Sequence, residues 1–205
     1  MLAKTYKIET DRLVIRCYTP QDAALLKQAI DDSIAHLSPK MPWARNEPQS
    51  IETKTARLRK YRGEFDLGLN YTFGVFSKDG KHMIGSSGLH TRLGDNEREI
   101  GYWINANHIR QGYATETVKG LTRVGFEIEG LDKIEIRCDP DNVGSQAVAR
   151  KAGYVHERTF TEKPTDEGEA SSEVMVWSMS REQYGEQDFS GFEVRGYDVV
   201  GRRIG

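Results

Sequence analysis

The clearest chemical signal in this 205-residue chain is the run Gly112-Tyr-Ala-Thr-Glu116, which opens a stretch of helical period directly after a short polar loop. The first turn of a helix leaves its N–H groups unpaired and carries the positive end of the macrodipole, so a close approach of backbone there gathers several donors on one point. That geometry binds phosphate. Gly112 and Ala114 keep side-chain bulk away from such an anion, Thr115 adds a hydroxyl donor, and Arg110 adds a positive charge beside the loop. Taken alone, the fragment equally suits an ordinary helix start. It carries neither the Gly-Lys-Ser/Thr of a nucleotide P-loop nor the Gly-x-Gly-x-x-Gly of a dinucleotide fold.

The elements that must hold this run can be read from period and punctuation. Residues 12–17 alternate as a strand, and Thr19-Pro20-Gln21-Asp22 then gives an N-cap, a proline at N1 and an acid at N3, so a helix is expected to about Ile34. Residues 36–48 hold Pro39, Pro42 and Pro48 around Trp43 and read as a broken segment. Ser50 can cap a second helix that turns Ile51, Thr55, Leu58 and Phe65 to the core. Stretches 71–76, 81–89 and 99–104 form an antiparallel meander. A helix over 112–129, a strand over 133–138 and a short helix over 143–152, ended by Gly153, follow. The stretches 155–161 and 173–179 make a last strand pair.

One domain is expected over residues 1–182, with 183–205 a C-terminal extension shifted toward Gly, Asp and Arg that could be an added hairpin, a dimer arm or partly disordered. With a formal net charge of -2, no overall field gathers nucleic acid or anionic membrane. No apolar run approaches the ~18 residues of a membrane span, and a cytoplasmic protein, monomer or homodimer, is expected. Cys17 and Cys138 read as small core side chains, and the five histidines show no paired spacing for zinc.

The run Arg110 to Glu116 resembles the acetyl-CoA motif of the Gcn5-related N-acetyltransferases (GNAT), nearest the RimJ/RimL-type branch. Four other stretches match in order: Thr10-Asp-Arg-Leu-Val-Ile-Arg16, Ile84-Gly85, Glu99-Ile-Gly-Tyr-Trp-Ile104, and Asn142-x-x-Ser145 leading to Lys151-Ala-Gly-Tyr154. Together they span about residues 8–180. The resemblance implies an α/β fold with a central, mostly antiparallel mixed sheet that splays open after the fourth strand, 99–104. It also implies transfer of acetyl from acetyl-CoA to a primary amine, with a protein N-terminal amine as the branch's acceptor; the same architecture serves polyamines, amino acids and antibiotics, or a non-catalytic acyl-CoA-binding module.

On that likeness, Ile104, Asn105 and Ala106 would line the pantetheine arm, and Arg110, Gln111, Gly112, Tyr113, Ala114 and Thr115 would surround the pyrophosphate. Asn142 would hydrogen-bond the cofactor, although Asn before a helix is also a favoured N-cap. The reaction needs a neutral amine and a proton for the departing thiolate. Glu99 is the candidate base; Glu116, in the first turn of its helix, reads instead as a charge that favours the dipole. Ser145 is the candidate acid, because the tyrosine many relatives carry in the last helix is replaced here by Ala149. Ile109 is a second departure, where relatives often have Gln or Arg. Residues 35–48 and 163–172, which the motifs do not cover, would build the acceptor pocket.

Overall fold

The computed structural model describes residues 4–162 and 171–205. Its elements are β1 (Lys7–Glu9), β2 (Leu13–Cys17), α1 (Ala23–Asp31), α2 (Ile34–Leu37), α3 (Ile51–Asp66), β3 (Tyr71–Ser77), β4 (Met83–Gly94), β5 (Glu97–Ile104), α4 (Tyr113–Val124), β6 (Lys133–Cys138), α5 (Val143–Lys151), β7 (Val155–Glu162), β8 (Ser172–Ser180), α6 (Arg181–Gly185), β9 (Arg195–Tyr197) and β10 (Arg203–Ile204). All ten strands join one mixed sheet in the order β10-β9-β1-β2-β3-β4-β5-β6-β8-β7. No helix among the described residues is long and apolar enough to cross a membrane.

Alternation along the strands sorts side chains to two faces. On one face Leu13, Ile15, Phe73, Val75, Ile100 and Ile104 meet Val118, Leu121 and Val124 of α4, and Ala149 of α5 extends the same core. On the other, Leu26 and Ile30 of α1 and Leu58 of α3 pack on Tyr18, Phe76 and Met83. Burying a Leu or Ile side chain contributes about 1.5–3 kcal/mol, so these two layers carry most of the fold's stabilisation. Cys17 and Cys138 are free and buried.

The structure differs from the expected elements at four places. The first helix ends at Asp31, and after a break at residues 32–33 the short α2 occupies chain read as loop, where Ser33 Oγ donates to Ala29 O at 2.7 Å. In α3 the Ser50 cap is present, its side chain accepting from Thr53 N at 3.2 Å, but Ile51 is 37% exposed. The inward position is taken by Lys54, fully buried because Glu47 from the preceding loop is buried beside it and pairs with its ammonium. Strand β1, unrecognised in sequence, makes Glu99's strand the fifth rather than the fourth. Finally, α6 forms at the start of the extension, where no helix was read; beyond it residues 195–204 take the hairpin among the forms open to them, β9 pairing with β1 through Lys7 and Tyr197.

Candidate active site

Strands β5 and β6 run parallel and pair only at Glu97 with Lys133, Arg98 with Ile134 and Glu99 with Glu135. Beyond Glu99 they part. Residues 100–104 of β5 keep their partners on β4, while 136–138 of β6 keep theirs on β8, so a wedge opens between two hydrogen-bonded half-sheets. The backbone edge of β5 that faces the wedge is left for an extended ligand to pair with.

At the wide end of the wedge stands α4. Its first intrahelical bond is Glu116 N to Gly112 O at 3.0 Å, so the amides of residues 112–115 have no acceptor within the helix. Gly112 sits at φ 84° and Arg110 at φ 60°, two left-handed residues in the turn that aims those amides outward. For arginine that conformation costs about 1–2 kcal/mol, strain of the kind that collects at binding loops. Arg110, Gln111 and Gly112 are exposed, and Tyr113, Ala114 and Thr115 are half-buried around the same point.

This loop is locked from beneath by Thr10 and Arg12, to which the sequence reading gave no role, acting through Glu116. Glu116, only 7% exposed, accepts from Thr10 Oγ1 at 2.6 Å, Arg12 N at 3.0 Å and Arg12 Nε at 2.6 Å. Arg12 also donates to Gln111 O at 2.9 Å and stacks over the Tyr113 ring, 4.5 Å from its centroid. Thus Thr10 and Arg12 fix the loop's position through Glu116, whose role exceeds a favourable charge at the helix start. Their signal was present: the Thr10 to Arg16 stretch accompanies the Gly112 run because one carboxylate joins them.

The loop between β5 and α4 is held by a second anchor. Ser33 Oγ accepts from Ala106 N at 2.9 Å, which commits the amide of Ala106, one of the expected arm-lining residues, to the α1–α2 junction. Ile104 and Asn105 are buried, and Asn105 N pairs with Ile84 O at 2.8 Å. Asn105 Oδ1 accepts from Asn107 N at 3.0 Å, capping the turn that follows.

Inside the wedge, two hydroxyls meet across it. Tyr102 of β5 and Ser145 of α5 lie 2.8 Å apart, OH to Oγ. Burial pushes the Tyr102 phenol up to about 12, so it is protonated at neutral pH and able to donate. Asn142 caps α5, its Oδ1 accepting from Ser145 N at 3.1 Å, while its Nδ2 has no partner among the described residues. The N-cap role is therefore real and leaves the amide donors free. Ala149 is fully buried in the core, and Tyr154 likewise, its OH 2.7 Å from Thr122 Oγ1.

The opposite face of the wedge carries Glu99, Gly101 and Trp103. Glu99 is buried, with Arg92 Nη1 at 3.1 Å and Arg137 Nε at 3.8 Å; Arg137 also reaches Glu135 at 3.0 Å. Trp103 packs against Trp43, ring centroids 6.0 Å apart, and Lys40 bridges from the same loop to Asp141 at 2.6 Å, beside Asn142. The expected acceptor segment 35–48 thus borders this face; residues 163–170 lie outside the described residues.

The profile of the acetyltransferase (GNAT) domain matches residues 12–155. YoaA of Bacillus subtilis (strain 168), named as an uncharacterized N-acetyltransferase, is 29% identical over 152 residues, 73% of this chain and 83% of its own. Among solved structures, a putative ribosomal-protein-serine acetyltransferase from Vibrio cholerae superposes with TM-score 0.70 at 27% identity, covering 88% of this chain and 99% of that one. RimL, a ribosomal-protein α-N-acetyltransferase solved with coenzyme A, shares the fold at TM-score 0.73 and 19% identity, over 84% of this chain and 98% of that one. With a split sheet, a helix start whose first amides lack helical acceptors and a domain profile that spans most of its length, the chain belongs to the GNAT family of acetyl-CoA-dependent N-acetyltransferases.

Proposed function

We propose that this N-acetyltransferase acts on the α-amine at a protein or peptide N-terminus, by direct attack on the thioester. The observation that carries this reading is the likeness, along nearly nine-tenths of the chain, to a protein named as a putative ribosomal-protein-serine acetyltransferase. Chemistry supports it. An α-amine with a pKa near ~7.7–8.0 is partly neutral at physiological pH, whereas a lysine-type amine near ~10.4 needs a strong base. The candidate base, Glu99, already has Arg92 and Arg137 against its oxygens, an arrangement better suited to an amine that asks little of it.

In this reading Ile104 and Asn105 line the pantetheine arm, with the Ala106 side chain beside them. Arg110, Gln111, Gly112, Tyr113, Ala114 and Thr115 surround the pyrophosphate, and Asn142 donates through Nδ2. The amine nitrogen bonds to the thioester carbon as the carbon–sulfur bond breaks. The amine's proton passes to Glu99, directly or through water, and Ser145 gives a proton to the departing sulfur while drawing another from Tyr102, which regains one from solvent as Glu99 releases its own and the products leave. A serine too weakly acidic to act alone gains a partner in the phenol.

The test is steady-state CoA release with a Ser-initiated tetrapeptide, spermidine and free serine. The peptide should show the highest kcat/KM. A preference of tenfold or more for spermidine overturns the α-amine assignment, and one for free serine overturns the peptide N-terminus as its source.

A further inference from the structure

His90 has no part in the roles assigned above. It stands on β4 directly opposite Glu99 of β5, on the face that carries Gly101 and Trp103. Its ring leans along the strands over Gly88 and Gly101, which face each other across the same pair of strands. A Cβ at Gly88 would lie 2.6 Å from ring Cε1 and 2.8 Å from Nε2, and one at Gly101 would lie 3.3 Å from Nε2. The imidazole therefore fills the room two absent side chains would need, with its Nε2 edge over bare main chain. That spot is two residues past Glu99, where pairing to β6 ends.

The other ring nitrogen determines what Nε2 offers. Nδ1 lies 2.9 Å from Asn70 Oδ1, an oxygen that only accepts, so Nδ1 carries the hydrogen and Nε2 keeps its lone pair. Burial, reinforced by the nearby Arg92 charge, pulls the imidazole down to about 4, leaving it neutral in the physiological range. The charged groups facing the ring are Glu99 from β5 and Arg92 from its own strand, which pair with each other; Asn70 from the α3–β3 turn is neutral.

We infer that His90 binds the acceptor: its Nε2 accepts a hydrogen bond from an N–H of the incoming primary amine, directly or through one water, and so turns the amine's lone pair toward the wedge. This rests on reading that face as the amine side. The contact needs no charge on the amine, so it can hold the uncharged form, the one that attacks.

The test begins with histidine-labelled, CoA-bound protein and long-range 1H–15N correlation at pH 7. The expected spectrum shows His90 as the Nδ1–H tautomer, with its Nε2 resonance moving on addition of a Ser-initiated tetrapeptide but not of the same peptide already N-acetylated. An Nε2–H tautomer, a charged ring, or an identical response to both peptides overturns the proposal. In kinetics, His90→Phe keeps ring volume without the nitrogen and should raise the amine KM about tenfold with acetyl-CoA affinity within about twofold, and His90→Gln should recover part of the loss. An unchanged amine KM in folded His90→Phe also overturns it. Absence of CoA release from the wild type with every amine counts instead against the transfer reading, and the tautomer and the free-amine shift still decide the role of His90.

Discussion

The two faces of the wedge are built from different materials. On the side proposed for the cofactor the groups on offer are main-chain amides in one turn of 110–115, held from beneath by Thr10, Arg12 and Glu116. On the side proposed for the amine they are side chains gathered from β4, β5, β6 and the 38–47 loop, fixed by ion pairs and an aromatic contact. Backbone donors recognise a diphosphate whatever the neighbouring residues are, so that side is fixed by chain geometry. Side chains recognise one amine and can be exchanged without disturbing it.

That contrast can be broken most forcefully at the buried pair of Glu47 and Lys54. Lys54→Met leaves a carboxylate without its main partner and should cost about 3–5 kcal/mol in urea denaturation, while calorimetry finds acetyl-CoA affinity within about twofold. Restoring stability by adding Glu47→Leu would show the cost to be the unpaired charge; a large loss of acetyl-CoA affinity would mean that the two sides are not separable. Next in size, Gly112→Trp places a bulky side chain at a left-handed position, with its Cβ 3.3 Å from Arg12 Nη2. The dissociation constant of acetyl-CoA should rise about a hundredfold, or ~2.7 kcal/mol, in a protein that still melts cooperatively.

Ser145→Ala should lower kcat about tenfold or more with acetyl-CoA affinity nearly unchanged, and Tyr102→Phe should act in the same direction more weakly. Wild-type rates in both variants would remove the hydroxyl pair from the chemistry. A separate effect is on pH. His90 is neutral when folded down to about 4, whereas an unfolded histidine takes a proton near ~6.5, so the unfolded state binds more protons between those values. Stability should be full above ~6.5 and fall as pH drops toward 4. His90→Gln should flatten that slope, and a wild-type profile flat over this window would contradict it.

How much of this was legible in the sequence follows the same division. The helix start at Gly112, the capped α5 and the strand at 99–104 each declare themselves within ten residues, because phosphate binding and strand pairing use local backbone. Tyr102 lay inside a motif that was read only as a strand, since its partner Ser145 is 43 residues away and no spacing announces a contact across a wedge. Glu116 was read as a helix-dipole charge for the same reason: Thr10 and Arg12 lie more than a hundred residues earlier. The inward turn of Lys54 at the expense of Ile51 escaped a hydrophobic pattern because an ion pair overrode it.

The seam at Glu97–Glu99 joins two assemblies over three residue pairs, β1 to β5 under α4 on one side and β6 to β8 under α5 on the other. One core underlies both, so this short stitch is a weak point of the backbone ladder alone, and amide exchange should find different protection in the two half-sheets. A ligand strand laid between them would add rungs to both, drawing the two exchange rates together.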